Sequence, residues 1–155
     1  MKGDKSIIAK LNTLLADELT AINQYMVHSE MCKDWGYGKL HESIEGRAVE
    51  EMKHAEKLIG RIIFLEGLPM VSKLNDIMIG AEVETQLKND SKAELGAISA
   101  YNDGIQLARE VGDNGTRELL EGILVDEENH LDWLEAQLDQ IDQMGIANYL
   151  VEQIG

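Results

Sequence analysis

A four-residue pattern, Glu-x-x-His, occurs twice in this chain and limits the possible folds more than any other feature of the sequence. The first copy joins Glu51 to His54, and the second joins Glu127 to His130. Residues three apart on an α-helix project to the same side, so each copy presents one carboxylate and one imidazole together. The fold must therefore accommodate two helices that each carry a mixed pair of oxygen and nitrogen donors.

Each copy of the pattern is preceded by a further glutamate at the same distance. The spacing from Glu18 to Glu51 equals the spacing from Glu94 to Glu127. The second pair of glutamates therefore repeats the first at one constant offset along the chain. We infer an internal repeat, in which each half supplies one lone glutamate and one Glu-x-x-His.

Hydrophobic periodicity and turn residues predict four long helices and a short one. We expect the helices over residues 5–34, 39–66, 83–111, 116–144 and 146–154. Glycine and proline mark the turns between them, and Gly67 is expected to end the second helix. The composition agrees, because a chain with one proline and only 5% aromatic residues must build its interior from Leu, Ile, Ala and Met.

The lengths of the connections predict the topology. Two connections are short, so the first two helices and the next two are expected to form antiparallel hairpins. The segment 67–82 can extend about 50 Å, whereas each long helix is about 40 Å long. This segment can therefore run the length of the bundle. The expected fold is all-α, a single-domain four-helix bundle over 1–155 with one long crossover and a short fifth C-terminal helix.

The four glutamates of the repeat pose a problem of burial that bound cations solve. All four lie on apolar stripes near mid-height of the bundle, and no Lys or Arg lies on these stripes. Unpaired buried carboxylates are costly, whereas two divalent ions with bridging carboxylates would compensate them. Oxygen donors with imidazole favour iron or manganese and also bind Zn²⁺. The candidate ligands are Glu18, Glu51, His54, Glu94, Glu127 and His130. A bundle with buried acids and no metal is the structural alternative.

The sequence resembles the bacterioferritins, a haem-binding branch of the ferritin-like di-iron carboxylate proteins. The resemblance covers essentially the whole chain and rests on MKGD, ELTAINQY (18–25), EEMKHAE (50–56), FLEGLP (64–69), DEENHLDWLE (126–135) and MGIANYL (144–150). It implies a ferroxidase centre of two iron ions per subunit at the six candidate ligands, with Glu51 and Glu127 bridging. It further implies oxidation of Fe(II) by O₂ or H₂O₂ and storage of ferric mineral in a homo-24-mer shell built of dimers.

Met52 and Tyr25 stand next to the candidate ligands along the chain. Met52 follows Glu51 directly, so it points about 100° away from the metal face and leaves the bundle interior, as an ordinary interface methionine also would. The resemblance implies that Met52 of two subunits ligates one b-type haem, and that a ferredoxin-like reductant releases iron. Tyr25 lies seven residues after Glu18, where it can hydrogen-bond a ligand, pass an electron or simply pack in the core.

Some positions depart from the family pattern or have no assigned partner. Family members often form an inner-surface iron site from a His and an Asp, where this chain has Gly46 and Glu50. Glu50 can replace the Asp, but Gly46 cannot bind iron, which leaves that site incomplete. His28 and His41 have no partner at ligand spacing, and we interpret both as surface residues.

Charge and cysteine content limit the partners and the compartment. The formal net charge of −15 disfavours nucleic acid and anionic membranes and favours attraction of cations. Neither a membrane-spanning run nor a signal peptide is visible, and the single Cys32 favours a reducing compartment, so we expect a cytoplasmic location.

The alternative function is a rubrerythrin-like di-iron peroxidase or oxidase without mineral storage. Such enzymes usually need a Cys-x-x-Cys electron-delivery domain, which one cysteine cannot supply.

Overall fold

The computed structural model describes all 155 residues and contains five helices. They are α1 (Lys5–Asp34), α2 (Gly38–Phe64), α3 (Val83–Glu110), α4 (Asn114–Met144) and α5 (Ile146–Val151). The predicted all-α bundle with a short fifth helix is confirmed, and the predicted boundaries are correct to within two residues except at the end of α5. No helix has the length and apolar character needed to cross a membrane.

A side-chain cap explains why α4 begins earlier than predicted. The Asp113 carboxylate accepts a hydrogen bond from the Thr116 backbone N–H at 3.0 Å, which satisfies one of the free donors in the first helical turn. The turn predicted over 112–115 is therefore shorter, and its last two residues, Asn114 and Gly115, belong to the helix.

The end of α2 differs in detail from the prediction. The left-handed residue that reverses the chain is Glu66, at φ 64°, and not Gly67. The Gly67 N–H donates to the Ile62 carbonyl at 2.9 Å, which closes the last turn. Gly67 is required for a different reason, because a Cβ at this position would lie 2.6 Å from Cγ2 of Ile8 on α1.

The long connection over residues 65–82 is attached to α1 by hydrogen bonds from its backbone N–H groups to side chains of the helix. Polar side chains of α1 accept from its N–H groups in four pairs: Asn12 with Met70 (2.8 Å), Thr20 with Asn75 (2.8 Å), Gln24 with Met78 (3.1 Å) and His28 with Gly80 (3.0 Å). The acceptors advance along α1 in the same order as the donors advance along the connection. The predicted crossover therefore runs along most of α1 and joins the α1–α2 hairpin to the α3–α4 hairpin.

The prediction that His28 and His41 are surface residues is wrong. His28 is fully buried, since its Nε2 accepts from Gly80 and its Nδ1–H donates to Asp90 Oδ1 at 2.9 Å. Gln24 donates to the same Asp90 oxygen at 2.8 Å. His41 is partly buried, and its Nδ1–H donates to the Ser29 carbonyl at 2.9 Å across the turn between α1 and α2. Both histidines satisfy local hydrogen bonds, which ligand spacing does not reveal.

The apolar interior consists of two clusters at different heights in the bundle. The first core cluster is Ile7, Leu11, Leu14, Leu15, Ala55, Leu58, Ile62, Leu65, Tyr101, Ile105, Ala108, Leu120 and Ile123. The second core cluster is Tyr25, Cys32, Leu40, Ile44, Val83, Leu87, Leu134, Ile141 and Tyr149. On each of the four long helices, a candidate metal-binding glutamate lies between the residues of the two clusters. A polar layer therefore divides the core.

Candidate metal centre

The polar layer contains all six candidate ligands, which the four long helices bring together from positions far apart in sequence. They are Glu18 on α1, Glu51 and His54 on α2, Glu94 on α3, and Glu127 and His130 on α4. Each is at most 2% exposed. Charged residues are almost never buried to this degree unless they are paired or hold a metal.

The donors form two overlapping groups, each compact enough to hold one ion. The first half-site is Glu18, Glu51, His54 and Glu127, and the second half-site is Glu51, Glu94, Glu127 and His130. The potential ligand atoms within each half-site lie within 4.8 Å of one another. Glu51 and Glu127 belong to both groups. The arrangement therefore suits two ions that share two carboxylates, each with its own terminal glutamate and histidine.

The two imidazoles face the carboxylates with the same ring nitrogen. His54 Nδ1 lies 2.8 Å from Glu127 Oε1 and 3.7 Å from both Glu18 Oε2 and Glu51 Oε1. His130 Nδ1 lies 3.0 Å from Glu51 Oε1 and 3.7 Å from Glu94 Oε1. The ring centroids are 6.2 Å apart, so each imidazole serves one side of the centre.

Two half-exposed carboxylates hold the outer nitrogens of these imidazoles. His54 Nε2 lies 2.9 Å from Asp126 Oδ2, and His130 Nε2 contacts Glu50 Oε2. A carboxylate can only accept, so Nε2–H donates and a neutral imidazole keeps its Nδ1 lone pair directed inward. Glu50, which can replace the Asp of an inner-surface iron site, thus lies against the candidate ligand His130.

Sequence reasoning missed this role of Glu50 and Asp126, although the repeat contained the signal. Each residue directly precedes a shared glutamate, so the two are related by the same offset as the ligands themselves. Acidic residues are abundant in this chain, so a single acidic residue at such a position carries little information. Only the repeat distinguishes these two from the others.

Two buried phenols donate to the terminal glutamates. Tyr25 donates a hydrogen bond to Glu94 Oε1, so the predicted hydrogen bond to a candidate ligand is present. Tyr101 donates to Glu18 Oε1 at 2.5 Å. Burial raises the pKa of both phenols well above the usual range, and the nearby Glu94 and Glu18 charges raise the pKa further, so both hydroxyls stay protonated. Tyr101 was not identified from the sequence, although it too is related to Tyr25 by the offset of the repeat.

Most of the unsatisfied polar atoms of the protein lie in this centre. Seven of the nine buried side-chain nitrogen and oxygen atoms without a hydrogen bond are Glu18 Oε2, Glu51 Oε1, His54 Nδ1, Glu94 Oε2, Glu127 Oε1, Glu127 Oε2 and His130 Nδ1. The short contact between His54 and Glu127 lacks hydrogen-bond geometry, which is why both of its atoms are in this set. Buried polar groups are normally hydrogen-bonded. These atoms face one another, so the residues present fit a pair of cations.

Burial and mutual repulsion perturb the titration of the acids. Burial, reinforced by the charge of Glu51, raises the pKa of Glu18 well above its usual range, and burial also raises the pKa of Glu127. Burial alone would lower the pKa of His130, but contacts with Glu51 and Glu94 outweigh it and raise that pKa to about 10. Without cations the centre therefore retains protons at neutral pH, and binding of metal must displace them.

Met52 lies outside this centre, as predicted. Its side chain is 47% exposed, and Val49, one helical turn earlier on α2, is 41% exposed. The thioether is therefore on an apolar outer face of the bundle, where a group from outside the chain can reach it.

Comparison with known proteins identifies a single family over nearly the whole chain. Residues 8–144 match the ferritin family of ferritin-like domains. The chain is 40% identical to the bacterioferritin of Brucella melitensis biotype 1, over 96% of this chain and 92% of that protein. It is 41% identical to the bacterioferritin of Rhodobacter capsulatus, over 94% of this chain and 90% of that protein. It is 40% identical to the bacterioferritin of Mycolicibacterium paratuberculosis, over 96% and 94% of the two chains. These matches, which cover nearly the whole chain, show that it belongs to the bacterioferritin family of ferritin-like proteins.

Proposed function

We propose that this protein is a ferroxidase that stores and detoxifies iron. It oxidises Fe(II) at the six buried ligands and deposits the ferric product as mineral inside a homo-24-mer shell. The observation that carries the proposal is the set of seven inward-facing donor atoms without hydrogen-bond partners. Such a set is unfavourable in a closed core and useful only to a cation.

The shared carboxylates allow the chemistry to proceed in pairs of electrons. Glu51 and Glu127 hold two Fe(II) substrate ions side by side, while Glu18 with His54, and Glu94 with His130, complete the two half-sites. Each Fe(II) gives up one electron, and one H₂O₂ takes both electrons and two protons to become two molecules of water. O₂ as the oxidant takes the same two electrons and two protons to become H₂O₂. Holding both ions in one centre therefore avoids one-electron reduction of the oxidant.

Charge balance explains why substrate enters and product leaves. Four ionised glutamates match the charge of two Fe(II) ions when both imidazoles are neutral, so the loaded centre is close to neutral. Oxidation adds one positive charge per ion, and the four glutamates of the centre are then too few to compensate it. This excess favours hydrolysis of the ferric ions or their release toward the mineral.

Assembly into dimers and then into the shell is supported by the exposed apolar surface. An open groove of about 890 Å³ between α1 and the crossover is lined by exposed Met26, Val27, Leu74, Ile77 and Ile79, among others. Exposed apolar patches of this kind mark interaction surfaces. The net charge of −15 would attract Fe(II) to the assembled particle.

We further propose that the protein binds haem, and the exposed Met52 thioether fits that role. Each chain would supply one sulfur, so Met52 of two copies would hold one b-type haem between them. The haem supplies electron transfer when bound, which suits a ferredoxin-like reductant that returns stored iron to Fe(II).

The buried, unpaired Cys32 agrees with the expected cytoplasmic location.

The ferroxidase step is tested by adding about two Fe(II) per chain aerobically and following the ferric absorbance by stopped flow. We compare the natural protein with a Glu51→Ala, Glu127→Ala double variant, and with Glu118→Gln as a control on the exposed face of α4. Rapid oxidation in the natural protein and in the control, lost in the double variant, is the expected result. Equal rates in all three proteins would show that oxidation does not occur at this centre.

A further inference from the structure

Tyr101 is a buried phenol bonded to a metal ligand of the opposite hairpin. Its side chain is 0% exposed, and its hydroxyl on α3 donates to Oε1 of Glu18 on α1 at 2.5 Å. Because Oε1 already accepts this hydrogen bond, Oε2 of Glu18, which has no partner, is the oxygen left for a cation.

Tyr25 has the same relation to the other half of the centre. It lies on α1 and donates to Oε1 of Glu94 on α3, which leaves Oε2 of Glu94 without a partner. Tyr25 and Tyr101 each follow a lone glutamate at the same seven-residue spacing. The internal repeat therefore includes the phenols as well as the ligands. Each phenol supports the glutamate of the other hairpin.

The two phenols approach the centre from opposite sides along the bundle axis. Tyr101 belongs to the first core cluster, and Tyr25 belongs to the second. Close packing in each cluster fixes the ring, so that both hydroxyls are in place before any ion binds. The hydrogen bonds thus select the orientation of each terminal carboxylate in advance.

We propose that Tyr101 is a positioning residue for the first half-site, as Tyr25 is for the second, so that each phenol sets the affinity of one metal position. The inference rests on the proposed function of the centre. Hydrogen-bond partners of metal ligands typically change metal affinity about 10- to 100-fold. A phenol that acts through one terminal glutamate changes the metal affinity of one half-site. Loss of the hydroxyl from a phenol that only fills space should not change the affinity of one half-site more than that of the other.

The test is an anaerobic titration of the full-length protein with Co²⁺, followed by its visible absorption bands. The natural protein is expected to bind two Co²⁺ per chain at this centre. Tyr101→Phe keeps the ring and removes the hydroxyl, and it should weaken one of the two Co²⁺ by roughly tenfold. Tyr25→Phe is the matched variant and should weaken the other.

A His54→Ala background identifies which position each phenol serves. His54→Ala removes the imidazole of the first half-site, so the protein should retain one Co²⁺, bound near Glu94 and His130. In this background Tyr101→Phe should have no further effect, whereas Tyr25→Phe should still weaken the remaining ion. Circular dichroism and thermal unfolding of the metal-free variants verify that each one folds, and Tyr101→Leu provides the same test without an aromatic ring.

Three results would overturn the inference while leaving the centre itself intact. The first is an unchanged Co²⁺ affinity in Tyr101→Phe, and the second is an equal loss of affinity at both positions in that variant. The third is a weakening of the remaining Co²⁺ when Tyr101→Phe is added to the His54→Ala background. A natural protein that binds no pair of Co²⁺ would instead overturn the proposed function, and the inference with it.

Discussion

Glu127 is fully buried, and neither of its carboxylate oxygens has a hydrogen-bond partner. A closed core would favour an apolar residue here, because removing a charge from water costs several kcal/mol unless it is compensated. Burial also raises the pKa of this carboxyl, so the metal-free protein keeps it protonated. The residue is therefore better suited to the metal-loaded state than to the empty one.

The substitution Glu127→Gln separates these two states. A glutamine side chain is close in shape to a protonated glutamate, so we expect the free energy of unfolding of the metal-free protein to change by less than about 1 kcal/mol. Saturating Zn²⁺ should stabilise the natural protein by about 4 kcal/mol at a thousandfold excess over Kd. This stabilisation should be largely lost in Glu127→Gln. Thermal unfolding with and without Zn²⁺ measures both effects, and full Zn²⁺ stabilisation in the variant would contradict a bridging role.

The side chains of the centre differ in how well the sequence predicts them. The six candidate ligands follow from charged residues on apolar stripes at repeated spacings. Such residues are unfavourable in a core unless a cation compensates their charge. Tyr101 gives no such signal, because a tyrosine in a core is ordinary. Glu50 and Asp126 are half-exposed acids in an acidic chain, so only their place in the repeat sets them apart.

At the scale of elements, the crossover is the part whose attachment could not be predicted. Its length indicated that it could span the bundle, and it does. Its attachment depends on polar side chains of α1 that accept from backbone N–H groups, and a backbone donor leaves no trace in the sequence. Asn12, Thr20, Gln24 and His28 do lie at multiples of four residues, which places them on one stripe of α1.

His28→Ala tests this attachment. The change leaves the Gly80 N–H without its acceptor and Asp90 with Gln24 alone, so we expect a loss of about 2–4 kcal/mol in the free energy of unfolding. Hydrogen exchange at residues 75–82 should become faster. His41→Ala is the control, because it removes one partly buried hydrogen bond and should cost about 1 kcal/mol. Equal effects of the two substitutions would mean that His28 does not hold the crossover.

The N-terminus of α4 should make a pH-dependent contribution to stability. Burial raises the pKa of Asp113, but hydrogen bonds from Thr116 and Arg61 outweigh it and lower the pKa below the usual 3.8. A lowered pKa stabilises the fold above the unfolded value, and this contribution is lost as pH falls through the folded value. Asp113→Ala should therefore cost about 1 kcal/mol at pH 7 and progressively less below pH 3.8. Urea unfolding of both proteins across this range provides the measurement, and a constant difference would contradict the account.

At the scale of the whole molecule, the chain has exposed apolar side chains on its surface, in addition to the polar atoms without partners in its centre. Met26, Val49, Met52 and Ile77 are exposed apolar side chains on a protein whose surface is otherwise strongly acidic. These residues agree with the expectation of an assembly. Interfaces form only between copies, so the packing within one chain does not determine them, and only the resemblance to the family implies that they exist.

Met52→Leu tests the proposed haem site without affecting the buried centre. Leucine keeps the apolar surface but has no sulfur to ligate iron. We expect the natural protein, purified with haem, to show a Soret band that the variant lacks, while both proteins oxidise the first two Fe(II) at the same rate. Met70→Leu, another exposed methionine, is the control. A Soret band that persists in Met52→Leu would assign the haem to other residues.

The central claim is that oxidation at the buried centre leads to storage, and iron retention tests it most directly. After aerobic addition of several hundred Fe(II) per particle, the protein is separated by size-exclusion chromatography and its iron is counted. We predict that the iron elutes with a soluble particle close to 24 times the chain mass of 17.3 kDa. Rapid oxidation of only the first two Fe(II) per chain, with no iron retained, would contradict storage and indicate a di-iron peroxidase or oxidase instead.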